Sequence, residues 1–265
     1  MNRKDSFVQI RSVPAYNLWI GSVSGIVERK TEEERIMDSY STVYTAGTGE
    51  IVEKKSRFIA QIFPVSSEEE AFSYLEAVKK EYWDARHHCW AYIIGRNPAS
   101  ERMSDDGEPA GTAGKPILEV LRGKGLTDVF AVVTRYFGGT LLGTGGLVRA
   151  YSGAVSEGLA HTEIITRIRG IKLMINTDYT GVGKIQYLLG QKKITVLDSV
   201  YTDKVTFFVL VPEDGEENLK KELLEATCGQ VFMEAQSRCW FARTKEGIQL
   251  WEEEKKRVSQ NYQIR

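Results

Sequence analysis

Residues 129–151 read VFAVVTRYFGGTLLGTGGLVRAY, and this stretch decides the fold of the first half of the chain. The run Val129–Val133 is apolar throughout, which is typical of a strand that is covered on both faces. The pair Gly138–Gly139 predicts a turn, and we expect a helix that begins at Gly145 or Gly146. The stretch therefore predicts a strand, a turn and a helix, with its polar residues collected at the turn.

Two other short blocks concentrate polar residues in the same way. The first is Asp84–Trp90, DARHHCW, and the second is Ser104–Pro116, SDDGEPAGTAGKP. Arg135–Tyr151 is the third block. Glycine clusters cost backbone entropy on folding, and a hydrophobic core has no use for paired histidines and aspartates. The three blocks therefore mark a site rather than a packing requirement.

The bulk properties indicate a globular protein with two domains. The chain has 265 residues, 42% of them hydrophobic, and a formal net charge of −1. The near-neutral charge counts against an extended basic stripe for nucleic acid. Three cysteines without a C-x-x-C pair favour a reduced, cytoplasmic setting. No apolar run reaches the roughly 18 residues that a membrane span needs, so no membrane association is predicted.

The first domain is predicted over residues 42–161 as an α+β unit. The pair Ser67 and Glu70 forms a capping-box pattern, which places a helix start there. The predicted elements before the strand–turn–helix unit are extended structure over 48–65, a helix over 67–82, a strand over 87–94, a polar loop over 95–114 and a helix from about Pro116 to about Lys124.

The second domain, over residues 162–243, changes to the order strand, helix, strand, strand, helix, strand. This is the order of a small ferredoxin-like βαββαβ domain. The predicted elements are Ile164–Ile175, Gly181–Leu189, Ile194–Tyr201, Lys204–Val211, Glu216–Ala226 and Val231–Arg243. Residues 1–41 are expected to be either a disordered extension or sequence ahead of a true start at Met37, and residues 244–265 a charged C-terminal tail.

The third block offers a candidate phosphate site. Glycines ahead of a helix N-terminus present backbone N–H groups to an anion, and the helix dipole adds positive potential. Neither the P-loop pattern nor the G-x-G-x-x-G pattern fits, because Pro109, Pro116 and Val148 occupy required positions. A tight structural turn is the alternative for these glycines. The candidate contacts to phosphate or nucleic acid are Arg86, Lys115, Arg135, Gly138, Gly139, Gly143, Gly145, Gly146 and Arg149.

The first two blocks also permit metal or acid–base chemistry. Asp105, Asp106 and Glu108 are candidate ligands of Mg²⁺, which is the one cofactor that the sequence suggests, and His88 with Asp106 is a candidate acid–base pair. The structural alternative is that the carboxylates cap turns and that His88 is a buried, hydrogen-bonded histidine. Because neighbours in a strand alternate between faces, His87 and His88 cannot both face one metal ion.

Together, the three blocks resemble the IMPACT family, and specifically its bacterial YigZ-type branch. The resemblance covers about Thr42 to Arg243. It implies a first domain like the second domain of ribosomal protein S5 and a second domain like the ferredoxin-like C-terminal domains of elongation factor G. It also implies RNA or ribosomes as partners, by likeness of fold. Eukaryotic relatives restrain an amino-acid-starvation kinase through an RWD domain that has no counterpart in this sequence, so that role is not implied.

The leading hypothesis is a non-enzymatic, cytosolic protein that binds nucleic acid or ribosomes and regulates translation or a stress response. In this hypothesis the basic residues contact phosphate, and Trp90 or Tyr136 stacks on a base. The first alternative is a Mg²⁺-dependent enzyme that acts on a nucleotide or a phosphorylated small molecule. The second alternative is a docking module for a protein partner.

Overall fold

The structure is a computed structural model that describes residues 39–96 and 98–252. It contains two β-sheets, one of five strands and one of six, with helices packed on both. The fold is therefore α+β, as the sequence predicts. Most of the predicted N-terminal extension, including the candidate start at Met37, lies outside the described residues. No helix in the described ranges combines the length and apolarity needed to cross a membrane.

The first domain is an antiparallel sheet between helices. The strands of the first half of the chain are β1 (Ser39–Val43), β2 (Gly47–Glu53), β3 (Ser56–Pro64), β4 (His87–Ile94), β5 (Ser100–Ser104) and β6 (Val129–Tyr136). The helices are α1 (Glu68–Glu81), α2 (Gly114–Gly123) and α3 (Thr144–Ala160). The five-stranded sheet has the order β2-β3-β6-β4-β5, while β1 belongs to the other sheet.

Both faces of the first sheet are buried, which explains the apolar run of β6. Ala131 and Val133 point into the core that α2 and α3 cover. Phe130 and Val132 point to the opposite face, where α1 packs. Because side chains alternate along a strand, a strand covered on both faces needs apolar residues at every position.

The start of α1 follows from its capping residues. The Ser67 Oγ accepts the backbone N–H of Glu70 at 3.2 Å, and the Glu70 carboxylate accepts the backbone N–H of Ser66 at 2.7 Å. These bonds satisfy N–H groups that have no partner inside the helix. The helix bounds, Glu68–Glu81, agree with the predicted range 67–82 to within one residue at each end.

The second domain has the ferredoxin-like arrangement that the sequence predicts. Its elements are β7 (Ile164–Thr177), α4 (Val182–Gln191), β8 (Thr195–Tyr201), β9 (Val205–Pro212), α5 (Glu216–Ala226), β10 (Val231–Thr244) and β11 (Gly247–Glu252). The central strand order is β10-β7-β9-β8. Leu173 and Ile175 of β7 form the core with Ile185 of α4 and Leu223 of α5. The two helices therefore pack on the same face of this sheet.

Three strands differ from the prediction. β1 pairs with residues 164–168 of β7 and so lies in the second sheet, while the side chain of Val43 packs in the core of the first domain. Residues 247–252, expected in the charged tail, form β11 against β10. Ser100–Ser104, expected in a polar loop, forms the edge strand β5 against β4. Each strand is short or polar and is held by a partner distant in sequence, which local patterns do not show.

Candidate functional site

The antiparallel order of the first sheet brings the three polar blocks to one end of it. β4 begins at this end and β6 finishes there, since His87 pairs with Arg135. β5 also finishes there, because Ser104 pairs with Trp90. The turn between β2 and β3 lies at the same end. We call this region the loop end, and it consists of residues 54–55, 82–88, 104–114 and 135–149.

Arg135 lies inside the loop end, although the sequence predicts it as a phosphate contact. Its side chain is 7% exposed, and its Nη1 lies 2.5 Å from the Oε1 of Glu108, which is 3% exposed. The Tyr151 hydroxyl donates to the same oxygen at 2.9 Å, and burial raises the pKa of this phenol, which keeps its proton. The charge of Arg135 is therefore neutralised by Glu108, and the pair ties the second block to the end of β6.

Asp105 organises the loop that leads into α2. Its carboxylate accepts the backbone N–H groups of Gly111 at 2.7 Å, Ala113 at 2.9 Å and Gly114 at 2.8 Å. Burial acts to raise the pKa of Asp105, but the three N–H donors outweigh burial and hold this pKa below its usual value. Asp105 thus acts as an ionised cap for this loop and for the first turn of α2.

Asp106 and the two histidines belong to the same hydrogen-bonded frame. The Asp106 Oδ2 accepts the backbone N–H of His88 at 2.6 Å, and the His87 Nδ1 lies 2.8 Å from the Asp106 carbonyl oxygen. The His88 Nδ1 lies 3.1 Å from the Thr134 Oγ1, and burial lowers the pKa of His88. The candidate pair His88 and Asp106 is therefore joined through the His88 backbone, while the imidazole is turned toward Thr134.

The three candidate Mg²⁺ ligands each bind groups of the protein itself. Asp105 binds backbone N–H groups, Asp106 binds the His88 N–H, and Glu108 binds Arg135 and Tyr151. Within residues 39–96 and 98–252, no group of three or more His, Cys, Asp or Glu side chains is arranged to hold a metal ion. All three carboxylates therefore hold the geometry of the loop end.

The two predicted stacking residues also have partners in the protein. Trp90 packs beneath α1, edge-on to Phe72 with ring centroids 5.5 Å apart. The Tyr136 hydroxyl donates to Asp84 at 2.7 Å, and this hydrogen bond raises the pKa of Tyr136 to about 12. Two aromatic residues that the sequence analysis did not select are exposed at the loop end instead, namely Trp83 (81%) and Phe137 (55%). Trp83 directly precedes the first block and Phe137 lies within the third, and these positions could have identified them.

Gly138 is required by close packing. A Cβ at this position would lie 2.1 Å from the Lys55 carbonyl carbon, so the turn of the third block rests directly on the β2–β3 turn. The Gly138 N–H donates to the Ser56 Oγ at 3.1 Å. Gly139 and Gly143 have φ angles of +84° and +74°, which glycine adopts without strain. These glycines therefore have structural roles, whatever they bind.

The remaining glycines of the third block differ from one another. A Cβ at Gly146 would lie 2.9 Å from the Leu142 Cβ, which is a close contact. At Gly145, the nearest atom would be the Arg149 Nη1 at 3.7 Å, an ordinary contact. The N-terminus of α3 has no side-chain cap, and Gly145 leaves it open. Gly145 is therefore the glycine of the third block that neither close packing nor a positive φ angle explains.

Exposed cations surround this frame. Lys54, Lys55, Arg86 and Arg149 are exposed and form no ion pair with any residue in the described ranges. Lys115 is exposed as well, with its Nζ 3.8 Å from Glu119. Lys54 and Lys55 form the two-residue β2–β3 turn, with φ angles of 47° and 68°. Neither lysine is among the candidate contacts predicted from the sequence.

A glycine-rich sheet end followed by a ferredoxin-like domain defines a class of two-domain α+β proteins. The chain belongs to the IMPACT family, as the resemblance of its three blocks predicts. The family model described as the Impact N-terminal domain matches residues 54–159, and that of a domain of unknown function, DUF1949, matches residues 175–230.

Curated relatives match over most of their length. The chain is 44% identical to IMPACT family member YvyE of Bacillus subtilis (strain 168) over 195 residues, which are 74% of this chain and 90% of YvyE. It is 42% identical to IMPACT family member YigZ of Escherichia coli (strain K12) over 180 residues, which are 67% of this chain and 88% of YigZ.

Two solved structures are also similar. One, described as a hypothetical protein, has a TM-score of 0.49 and 36% identity, and the match covers 76% of this chain and 98% of that chain. The other is described as the two-domain translational regulator Yih1. It has a TM-score of 0.33 and 26% identity, and the match covers 53% of this chain and 58% of that chain.

Proposed function

We propose that this protein is a non-enzymatic, cytosolic regulator of translation or stress that binds RNA, free or within the ribosome, through the loop end. The observation that carries the proposal is the separation of charge in this region. The carboxylates of the three blocks accept hydrogen bonds from the protein, whereas Lys54, Lys55, Arg86 and Arg149 are exposed and have no ion-pair partner in the part of the chain that the structure describes. The outer surface is therefore positive, as binding to phosphates requires.

The backbone at the start of α3 adds to this surface. This helix begins after Gly143 without a side-chain cap, so its first N–H groups have no such partner. The helix dipole favours an anion at the same point. Arg149 lies about one turn further along, on the exposed side. A phosphate at this helix end would meet backbone N–H groups and a guanidinium together.

Exposed rings supply the second half of the interaction. Trp83 and Phe137 are exposed at the loop end, which also carries the exposed cations. Bases of a single strand stack on such rings without regard to sequence. We therefore assign the stacking role to Trp83 and Phe137 in place of Trp90 and Tyr136. The ligand that fits is RNA with unpaired bases.

The Mg²⁺-dependent enzyme has no comparable support. It requires Asp105, Asp106 and Glu108 to turn toward a metal ion, and each holds part of the loop end through its own hydrogen bonds.

The test is binding of the full chain to a fluorescein-labelled, unstructured 20-nucleotide RNA and to bacterial ribosomes, each at several salt concentrations. Lys54→Glu/Lys55→Glu should weaken binding to both. For RNA, the loss of two phosphate contacts should reduce the slope of log affinity against log salt by about 1.4. Arg149→Glu should act in the same direction. Arg135 is unsuitable for this test because its substitution disturbs a buried pair.

The matched control is Lys184→Glu/Lys204→Glu, which changes the net charge equally at two exposed positions of the second domain. Its affinities should stay close to those of the unaltered protein. Equal weakening by both double variants would show a general charge effect and would refute the loop end as the binding site. The same conclusion follows if the Lys54 and Lys55 variant binds both ligands normally.

A further inference from the structure

A second basic surface lies where the first domain meets the second sheet. Here aromatic rings alternate with guanidinium groups. The Arg96 Cζ lies 4.2 Å from the Tyr40 ring centroid and 4.3 Å from that of Trp240, and the Arg167 Cζ lies 4.2 Å from the Trp251 ring centroid. We call this region the arginine–aromatic surface, and it consists of Tyr40, Arg96, Arg167, Arg169, Arg238, Trp240 and Trp251.

The strand register places these residues side by side. Tyr40 of β1 is opposite Arg167 of β7. Arg169 of β7 is opposite Trp240 of β10, which is in turn opposite Trp251 of β11. Directly opposed residues in antiparallel strands lie on the same face and touch. Five residues from four strands therefore form one continuous row.

Arg96 is brought to this row from the first domain. It follows Gly95, whose N–H donates to the Asp128 Oδ1 at 2.8 Å and whose carbonyl oxygen accepts the Thr127 hydroxyl at 2.6 Å. These bonds fix the backbone just before Arg96. The Arg96 side chain is exposed and lies against Tyr40 and Trp240 from outside the sheet.

Two cations of this surface lie over the same ring, since the Arg96 Cζ and the Arg167 Cζ are 4.2 Å and 5.8 Å from the Tyr40 ring centroid. Arg96 and Arg167 form no ion pair with any residue in the described ranges, and the Arg167 Nη1 donates instead to the Tyr40 hydroxyl at 3.0 Å. The Arg238 side chain lies 3.4 Å from the Glu213 carboxylate. Like charges gathered around the same rings repel one another, and an anion bound between them would relieve this repulsion.

We propose that the arginine–aromatic surface binds single-stranded RNA. Phosphates would lie against Arg96, Arg167 and Arg238, and a base would stack on the outer plane of the Arg96 guanidinium or on Trp240. Guanidinium planes and aromatic rings are the groups on which unpaired bases stack. This contact uses residues different from those of the proposed function, so it stands or fails separately.

The two surfaces lie at opposite ends of the first sheet. β4 begins at the loop end with His87 and ends at Ile94, next to Gly95 and Arg96. Its 8 residues span about 25 Å at about 3.3 Å per residue. Residues of one surface can therefore be changed without touching the other, which allows each surface to be tested separately.

The test uses the full chain with Lys54→Glu/Lys55→Glu, so that binding at the loop end is weakened. The probe is a 12-nucleotide oligouridylate, and the readout is quenching of tryptophan fluorescence together with affinity. Quenching should persist in this background and disappear largely when Trp240→Phe and Trp251→Phe are combined. Arg96→Gln should weaken binding about tenfold, since a phosphate contact and a stacking plane are both lost. Lys204→Gln should leave binding unchanged.

Four results would overturn the proposal. The first is quenching that is absent, or that Trp83→Phe removes while the Trp240 and Trp251 variant retains it. The second is equal affinity for a duplex of the same length, since paired bases cannot stack on the surface. The third is equally strong competition by polyglutamate, which would indicate an acidic protein segment as the ligand. An Arg96→Gln variant that loses stability in urea but keeps its RNA affinity would likewise assign these contacts to the domain junction alone.

Discussion

The loop end and the arginine–aromatic surface are built from the sequence in opposite ways. The loop end comes from three dense blocks, and most of the polar groups in those blocks bind one another. The arginine–aromatic surface comes from residues 40, 96, 167, 240 and 251, which belong to no motif. A dense polar motif therefore marks a backbone segment that must adopt an unusual conformation. Residues that face a ligand can lie beside such a motif or far from it.

The largest expected loss of unfolding free energy follows from the replacement of Arg135. Arg135→Met leaves the Glu108 carboxylate buried without its cation, which costs about 3–5 kcal/mol of unfolding free energy. The matched change at the other surface, Arg96→Gln, removes exposed contacts and should cost about 1 kcal/mol or less. Urea unfolding followed by circular dichroism measures both values.

A second variant separates the ion pair from simple packing at this position. Arg135→Met/Glu108→Leu removes both charges and should recover most of the stability that Arg135→Met loses, because no buried charge is left unpaired. If the double variant is no more stable than Arg135→Met, the pair is not the reason for the loss. If Arg96→Gln destabilises the protein as much as Arg135→Met, the contrast between the two surfaces is wrong.

The second-largest expected effect on unfolding free energy concerns two glycines of the loop end, Gly138 and Gly145. Gly138→Ala places a Cβ 2.1 Å from the Lys55 backbone, and we expect a loss of about 1–3 kcal/mol of unfolding free energy. Gly145→Ala meets no close atom and lies in the first turn of α3, so it should gain up to about 1 kcal/mol. Thermal or urea unfolding of the two variants measures the difference. Equal losses would show that the third block is a single packed unit without an open position.

The smallest effect concerns pH. Burial lowers the pKa of His88 from its ordinary value of 6.5, so the folded protein keeps this imidazole neutral while the unfolded chain takes up a proton. The stability contribution is therefore complete above pH 6.5 and is lost as the pH falls through 6.5 toward the lower folded-state pKa. We expect His88→Gln to flatten the fall in stability between about pH 7 and pH 5.

His161→Gln is the matched control for this pH dependence. His161 is exposed, with its Nδ1 at 2.9 Å from the Glu157 carbonyl oxygen, so its substitution removes only surface contacts. A profile that His161→Gln flattens as much as His88→Gln would contradict the assignment to the buried ring.

Much of the fold could be predicted because its signals are local. The capping residues of α1, the apolar run of β6 and the element order of the second domain each appear within a short stretch. β1, β5 and β11 could not be found this way, since each is defined by a partner strand far away in sequence. A polar edge strand such as Ser100–Ser104 looks like a loop until its partner is known.

The meeting of the three blocks could be predicted from the sequence, but the contacts of their side chains could not. The three blocks do come together, and the exposed cations Arg86 and Arg149 were selected from the sequence. Arg135 is next to the last residue of β6, and an arginine near the end of a strand is usually exposed. Its burial here depends on the ion pair with Glu108 of the second block. Trp90 is in the core because α1 covers that face of β4, which only the packing of the helix reveals.

The pairing of β1 with β7 gives the molecule an unexpected modularity. Val43 and Ile164 are partners across these strands, and the Tyr44 N–H donates to the Glu163 carbonyl oxygen at 2.7 Å. The chain therefore leaves the second sheet and re-enters it at adjacent points, and residues 44–163 are an insert in a continuous host sheet. Such an insert could be cut out and replaced by a short linker while every strand of the host keeps its neighbour, which would remove the loop end together with Arg96 and leave the other residues of the arginine–aromatic surface in the host.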